Sequence, residues 1–449
     1  MRTPIVVAGA GPAGALMATY LGRQGHDVTL YESRPDLRTT DIGAGRSINL
    51  ALATRGIVPL IDIGVIDLVD AITIPMRGRM VHTGDNTAPQ LQPYGNKPHE
   101  VIHSVSRTDL NAILLDAAEA TGRVTIKFDK QIESVDLDQS ILGFSDGTSA
   151  PFGLVVGADG SGSLIRQAIG SAGACDYRTD WLGHSYKELT LPPNDTGGHR
   201  LDPNALHIWP RGEFMLIALA NPGGDFTVTL FAPTRTLEEL NSPATINAFF
   251  ESEFADFTPL ISDLADQFID NPIGVLGTVR AAGWSYKDRA VLLGDAAHAV
   301  VPFHGQGMNA AMESARALDR HLRSTPNDIT GALGRYEAER KPSTDAIADM
   351  ALSNYVEMRA SVVDPDYLAH RALALELETR YPQHLSPRYN MVMFSTMPYE
   401  EAKSRAERQA EIIAAAIDDP SVDVDSLVTS LPPLPSLDPL ANPDALSVT

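Results

Sequence analysis

Three short runs of glycine and acidic residues are spaced across the chain. They are Gly9-Ala-Gly11-Pro-Ala13-Gly14 with Glu32 beyond it, Gly157-Ala-Asp159-Gly160, and Gly294-Asp295-Ala-Ala-His298. In the first run the glycines permit a tight turn and a close approach of backbone to a pyrophosphate. The helix that follows offers free amides and a partial positive charge. Glu32 ends the next strand, where a carboxylate accepts from the ribose hydroxyls of an adenosine and repels a 2′-phosphate, so the resident nucleotide is not expected to be NADP. Asp295 follows a later strand and is placed to bond the ribityl or ribose hydroxyls of a flavin. The turn Gly305-Gln-Gly307-Met308-Asn309 opens a helix whose amides can face a flavin pyrimidine and favour an anionic reduced ring. The first run alone indicates a dinucleotide; the three in this order indicate FAD held along its whole length.

These groups need a scaffold. Residues 4–8 read as a short buried strand, 12–23 as a helix ended by Gly25, and 28–31 as a second strand, which together make a βαβ opening. Residues 105–121 read as a helix begun by the Ser106–Asp109 capping pattern. Residues 124–156 form a series of short strands, whereas 70–95 read as irregular. Met215, Ile217 and Leu219, then Phe226, Val228 and Leu230, alternate with their neighbours, the period of half-buried antiparallel strands. Residues 290–293 return to a strand, 307–322 to a helix, and 329–419 are helical in pattern. The expected fold is α/β. A Rossmann-like FAD-binding domain (1–75, 100–175 and 286–335) carries an inserted β-sheet-rich substrate domain (76–99 and 176–285) and a C-terminal helical region (336–425). A loose Pro-rich tail (431–449) follows.

The 449 residues exceed what one hydrophobic core usually organises. A formal net charge of −22 argues against nucleic acid or an anionic membrane as partner. Cys175 is the single cysteine, which excludes an internal disulfide and a flavin disulfide reductase and suits a reducing compartment. The chain enters its first strand without a leader pattern, and its longest apolar region is broken by Asp295 and His298. A soluble cytoplasmic protein with no metal site is expected.

Longer strings narrow the reading. They are Gly45-Arg46-Ser-Ile-Asn-Leu-Ala-Leu52, Ile74-Pro-Met-Arg-Gly-Arg79-Met80, Ser104-Val-Ser-Arg107, Lys187-Glu-Leu-Thr190 with Pro192-Pro193, and Leu206-His-Ile-Trp-Pro-Arg211. Phe214-Met-Leu-Ile-Ala-Leu219, Phe226-Thr-Val-Thr-Leu-Phe231, Gly305-Gln-Gly-Met-Asn309 and Asn354-Tyr-Val-Glu-Met-Arg359 complete the set. In this order the chain resembles the class A flavoprotein monooxygenases, the 4-hydroxybenzoate hydroxylase-like group, and within it the kynurenine 3-monooxygenase family. The likeness runs from end to end except for the final tail.

The resemblance implies FAD contacts from Gly9, Gly11, Ala13, Gly14, Glu32, Arg46, Arg107, Asp159, Gly294, Asp295, Gly305, Gly307, Met308 and Asn309. In flavin hydroxylases the Asp159-Gly160 region, with Ser163 and Arg166, serves both FAD and NAD(P)H. The chain has no second strand–GxGxxG–helix unit, so NADPH is a transient co-substrate. Arg79 matches the arginine that binds the substrate carboxylate, and Tyr94, Asn354 and Tyr389 match groups that hold the amino-acid end. On the residues alone Arg77 competes with Arg79, and Asn354 and Tyr389 read as helix packing. Ile217, Leu219, Phe231 and Phe303 are candidates to wall the aromatic ring, although by themselves they read as core. His304, where animal relatives carry Phe, reads as a flavin-side proton or carbonyl contact or as a neutral filler. Animal relatives also carry a hydrophobic membrane anchor where this chain has a Pro-rich polar tail, which implies a soluble, bacterial-like form.

The reaction so implied is hydroxylation of L-kynurenine to 3-hydroxykynurenine with NADPH and O2, through a C4a-hydroperoxyflavin, with no protein acid or base assigned. A class A hydroxylase of another aromatic amino or hydroxy acid is the nearest alternative. An FAD-binding protein without turnover is a further one, and a flavin halogenase is disfavoured by the absence of a Trp-x-Trp-x-Ile-Pro string. A homodimer remains open.

Overall fold

The computed structural model describes residues 4–39, 49–84, 87–95, 97, 99–360, 365–419 and 421–435. Arg46 and the end of the tail, 436–449, lie outside them.

The nucleotide-type sheet has six strands in the order β18 (Ser285–Tyr286), β19 (Ala290–Leu292), β12 (Leu154–Gly157), β1 (Ile5–Ala8), β2 (Val28–Tyr31) and β8 (Val124–Lys127), all parallel except β18. Strands β1 and β12 are buried along their whole length, as a parallel sheet covered on both faces requires. Helix α1 (Pro12–Arg23), started by Pro12 at its first position, packs between α4 (Arg107–Ala120) and α10 (Gly307–Ser324) on one face. The Ser106 hydroxyl accepts from the Asp109 amide and starts α4, as the capping pattern requires. The antiparallel strands β9 (Ile132–Asp136), β10 (Ile141–Phe144) and β11 (Ser149–Pro151), with helix α5 (Leu164–Ser171), close the other side.

A second sheet of seven strands runs β17 (Ile273–Ala282), β13 (Asp176–Leu191), β16 (Phe226–Pro233), β15 (Phe214–Ala220), β14 (Leu206–Arg211), β5 (Gly78–Val81) and β6 (Gln90–Pro93). A third pairs β3 (Asn49–Leu52), β7 (Ile102–Ser106) and β4 (Thr73–Met76).

Two expectations are corrected. Residues 70–95 are not irregular but supply β4, β5 and β6. β4 pairs with β7 and β5 with β14, both outside this segment, while β6 adds to β5 at the sheet edge, and none of the three carries a local period that announces it. Strands β15 and β16 are not half-buried, because both faces of their sheet are covered. Trp209, Leu216, Ala218, Val228 and Leu230 pack under α6 (Thr234–Glu239), α7 (Pro243–Glu253) and α8 (Leu264–Asp270). The alternate residues Ile208, Met215, Ile217, Leu219 and Phe231 face the site.

Helix α2 (Thr54–Asp62) follows β3 and is succeeded by α3 (Ile66–Asp70), and α9 (Asp295–His298) follows β19. The C-terminal part is helical as expected: α11 (Ile329–Ala360), α12 (Pro365–Arg380), α13 (Arg388–Met393), α14 (Tyr399–Asp418) and α15 (Val424–Ser430). The start of the tail is pinned: Arg405 donates to the Pro432 carbonyl (2.6 Å) and the Leu434 amide to the Gln383 carbonyl (2.6 Å). Among the described residues no helix is long and apolar enough to cross a membrane.

Candidate active site

The first glycine run forms the β1–α1 turn. Gly9 has φ +98°, and a Cβ there would strike the Ala158 carbonyl, so β12 and the Asp159 segment pass directly behind the turn. A Cβ on Gly14 would strike the Gly9 carbonyl. Gly11 differs, because a Cβ there meets nothing within 4 Å. Its open side lies before the α1 N-terminus, where a pyrophosphate requires room. Glu32 is buried, and its Oε2 accepts from the Ala10 amide (3.0 Å) while its Oε1 accepts from Arg34 Nε (2.8 Å) and the Arg34 amide (3.0 Å). Burial alone would raise its pKa, but the Arg34 hydrogen bond and charge and the two amides hold it below the usual carboxylate range. The carboxylate is therefore ionised and turned toward the glycine turn. Asn111, on the buried face of α4, donates to the Ala10 carbonyl (2.9 Å) and anchors the same turn. A lone polar residue on an otherwise apolar helix face was its only signal in the sequence.

Asp159 divides its carboxylate, since Oδ1 is buried with no hydrogen-bond partner among the described residues. Asp159 Oδ2 accepts from the Leu164 (2.8 Å) and Ile165 (3.2 Å) amides of the first turn of α5, whose N-cap is Ser163. The side chain fixes the backbone behind Gly9. The third run closes the groove from the opposite side. A Cβ on Gly294 would lie 3.3 Å from Ala13 and 3.2 Å from Ala311, so the end of β19 passes close to α1 and α10. Asp295 reaches solvent although protein crowds around it, and that crowding pushes its pKa up while the Arg107 charge opposes the shift. Arg107, the first residue of α4, is exposed on the same groove. Gly305 and Gly307 flank Gln306, the N-cap of α10. Met308 packs against the core of the parallel sheet. Asn309 spends its side chain on the scaffold, accepting from the Ala53 amide (2.9 Å) and donating to the Ala51 and Gly305 carbonyls (both 2.8 Å). It holds the turn before α10 against β3.

The residues present thus fit an FAD. They provide an open glycine at a helix N-terminus, an ionised carboxylate at the adenosine end, and a second acid and helix N-terminus at the other end.

Beyond α10 lies a second group. Arg79 stands on β5, opposite Leu206 of β14 and Gln92 of β6. Arg77 falls between β4 and β5 and is exposed, whereas Arg79 lies within β5 with its Nε buried. The Arg79 guanidinium lies 4.5 Å from the Tyr389 ring centroid and 5.8 Å from that of Tyr94. Tyr94 stacks on Tyr389 at 5.3 Å, and Tyr389 on His304 at 5.4 Å, so three rings form a column with the guanidinium against its centre. Arg79 Nε, the Tyr94 hydroxyl and both His304 ring nitrogens are buried and have no hydrogen-bond partner among the described residues. Burial, reinforced by the Arg388 and Arg79 charges, pushes His304 down to about 3, so its imidazole is neutral. Burial and the Tyr389 hydroxyl push Tyr94 well up, and it remains a phenol able to donate. Burial works against the Arg79 charge, but Tyr389 and Tyr94 outweigh it.

Asn354, on α11, donates to the Phe303 carbonyl (2.6 Å) and so fixes the turn Pro302–His304. Phe303 meets Phe231 at 5.1 Å and stacks on Tyr355 at 3.9 Å. Ile217 bridges the two apolar clusters that contain Leu219 and Phe231. Sequence reasoning missed Tyr355, Val81, Ile208 and Met215, which share this wall, although the alternation that marked Ile217 extended to Met215. It also missed Glu188, in register with Thr229 and through it with Ile217, whose carboxyl burial raises to about 7 against the pull of Arg107. Cys175 is buried and its thiol is pushed up to about 11, far from a reactive thiolate.

The sequence model of the FAD binding domain family matches residues 2–351. A kynurenine 3-monooxygenase of Stenotrophomonas maltophilia is 48% identical over 91% of this chain and 91% of its own length. One of Xanthomonas axonopodis pv. citri is 44% identical over 92% of each. Among solved structures, the tetrameric form of 2-methyl-3-hydroxypyridine-5-carboxylic acid oxygenase superposes with a TM-score of 0.68 at 21% identity, covering 82% of this chain and 96% of that one. PqsL of Pseudomonas aeruginosa, in complex with 2-aminobenzoylacetate, reaches 0.64 at 20% identity over 80% and 97%. These two share the fold. On the family match over residues 2–351 and the identity to the curated relatives, the chain belongs to the kynurenine 3-monooxygenase family of FAD-dependent aromatic monooxygenases.

Proposed function

We propose that this protein hydroxylates L-kynurenine to 3-hydroxykynurenine with NADPH and O2, holding FAD non-covalently and NADPH only in passing. The observation that carries the reading is the set of unmatched buried polar atoms on Arg79, Tyr94 and His304 at one end of an apolar wall. Buried polar groups without partners mark a ligand site, and this set suits an amino-acid carboxylate joined to an aromatic ring.

Arg79 takes the carboxylate, and Tyr94 and Tyr389 orient it. Ile217, Leu219, Phe231 and Phe303 hold the ring and keep water from it. Asn354 holds the Phe303–His304 turn in place, and His304 contributes a neutral face beside the ring. At the cofactor end Glu32 binds the adenosine ribose, Gly11 and Gly14 admit the pyrophosphate, and Asp295 takes flavin-side hydroxyls. Arg107 and the 305–309 turn complete the cradle, and Arg46 is assigned there by family likeness alone. Bound FAD supplies the redox chemistry, carrying electrons from NADPH to O2 and one oxygen atom to the substrate. The substrate's own amino group enriches the ring carbon ortho to it, so no strong protein base is required. In this reading residues 76–99 and 176–285 form the substrate domain, the protein acts in the cytoplasm, and a homodimer is compatible with it.

The deciding experiment is NADPH oxidation by the FAD-loaded protein with and without L-kynurenine, with the product identified by mass. Stimulation and a product heavier by one oxygen establish the reaction. Stimulation that yields only hydrogen peroxide makes kynurenine an effector and a related aromatic acid the substrate, and no response transfers the site to another aromatic acid.

A further inference from the structure

A chain of buried polar contacts runs behind both walls of the site, and of its members only Gln306 lies in a segment given a role above. Arg55, on α2, is buried. Its Nε donates to the Val392 carbonyl (3.1 Å), its Nη2 to the Met397 carbonyl and its Nη1 to Glu313 Oε1 (2.9 Å). Its guanidinium lies 3.9 Å from the Tyr399 ring centroid. Val392 belongs to α13, the short helix that bears Tyr389, and Met397 lies in the segment leading out of it. Arg55 therefore grips the exit of the helix that places Tyr389 against Arg79. Glu313 is held in turn by Arg340 Nη2 (2.8 Å).

The second arm leads to the flavin side. The Tyr399 hydroxyl donates to Gln306 Oε1 (2.6 Å), and Gln306 Nε2 donates to Met393 Sδ (2.9 Å). Gln306 is the N-cap of α10, flanked by Gly305 and Gly307. The Tyr399 backbone is itself fixed, since its amide donates to Ser343 Oγ (3.0 Å) and Ser343 donates to Glu400 (2.6 Å). One buried chain thus touches the helix behind the substrate carboxylate and the turn before the cofactor-facing helix.

Burying a guanidinium and its carboxylate is a poor way to gain stability, because well-packed apolar groups of equal volume often do as well. What the arrangement adds is direction, with each donor aimed at one acceptor and two of those acceptors on the segment that leaves Tyr389. Ring hydroxylation needs such direction, since a displacement of about 1 Å between reacting partners costs on the order of a hundredfold in rate. We infer that Arg55, Tyr399 and Gln306 are positioning residues that lock helix α13 to the 305–307 turn, so that the substrate ring and the cofactor keep one relative placement. The substrate arm of this inference rests on the kynurenine reading above; the cofactor arm does not.

The test uses full-length, FAD-loaded protein. Kynurenine binding is read by flavin absorbance for Arg55→Lys in the native and Tyr389→Phe backgrounds. A dissociation constant raised about fivefold or more in the first background and nearly unchanged in the second supports action through Tyr389, because coupled residues are non-additive. An equal effect in both backgrounds, or none in either, overturns that arm. Tyr399→Phe keeps the ring under Arg55 and removes only the bond to Gln306. It is read without substrate, as a FAD dissociation constant raised about threefold or more, with an unchanged unfolding midpoint. An unchanged FAD constant overturns the cofactor arm. A native protein that ignores kynurenine withdraws the substrate reading alone, and Tyr399→Phe then decides the inference, as it also does if Arg55→Lys does not fold.

Discussion

The guanidinium of Arg79 lies 4.5 Å from the ring of Tyr389, although one residue sits on a strand near the start of the chain and the other on a helix near its end. Tyr389 is at the same time stacked between Tyr94 and His304. The Arg79 charge is thus fixed by aromatic faces, with its Nε buried and uncommitted.

Arg79→Ala removes that charge and leaves the cofactor groove untouched. A charge-assisted hydrogen bond is worth about 1.5–3 kcal/mol, so kynurenine should bind about ten- to a hundredfold more weakly with FAD fully retained. Titration followed by flavin absorbance checks it, and an unaltered dissociation constant refutes the assignment.

The two glycines of the turn should fail differently. A methyl at Gly11 meets no protein atom, so Gly11→Ala should keep the unfolding midpoint of the FAD-free protein and lose FAD affinity. Gly14→Ala drives a methyl into the Gly9 carbonyl and should lower that midpoint by itself. Calorimetry of the stripped protein together with FAD fluorescence titration separates the two.

Asp295→Ala removes the acid at the flavin end of the groove. The protein should purify with less than its full complement of flavin while remaining folded by circular dichroism. Full flavin content after purification would assign Asp295 to the scaffold.

His304 and His298 are both held neutral by burial, with folded pKa values pushed down to about 3 from an ordinary 6.5. The unfolded chain binds protons at both as pH falls from 6.5 and the folded chain does not. Each should therefore cost on the order of 1.4 kcal/mol of stability per pH unit through that window. His304→Phe should make the fall in denaturation midpoint between about pH 6.5 and 3 shallower; an unchanged slope would show that His304 is protonated in the fold.

Glu188 has the opposite sign. Its folded pKa of about 7 exceeds the ordinary 4.5, so the folded state binds the extra proton and stability should decline as pH rises between those values. Glu188→Gln should remove that decline in urea midpoints measured from about pH 4.5 to 7; an identical decline in the variant would assign it to other groups.

What the chain determined by itself was the cofactor end. Gly9, Gly11, Gly14 and Glu32 lie within one local βαβ unit, and Gly294 and Asp295 within one strand and its turn, so the spacing alone states the geometry. Pro12, Ser106 and the alternation from Met215 to Leu219 likewise act on near neighbours. The substrate end was legible only through family likeness, because Arg79, Tyr94, His304, Asn354 and Tyr389 come from five separate points of the chain and no local pattern relates them. Tertiary structure alone decided that Arg79 and not Arg77 is turned inward, that Asn111 and Asn309 hold the scaffold, and that β4 and β5 exist at all. It also decided that Arg55 and Gln306 back the site. The physical reason is the same in each case: a buried polar side chain is defined by the partner that satisfies it, and in each case that partner, or the strand beside it, is set by the folded chain rather than by its near neighbours in sequence.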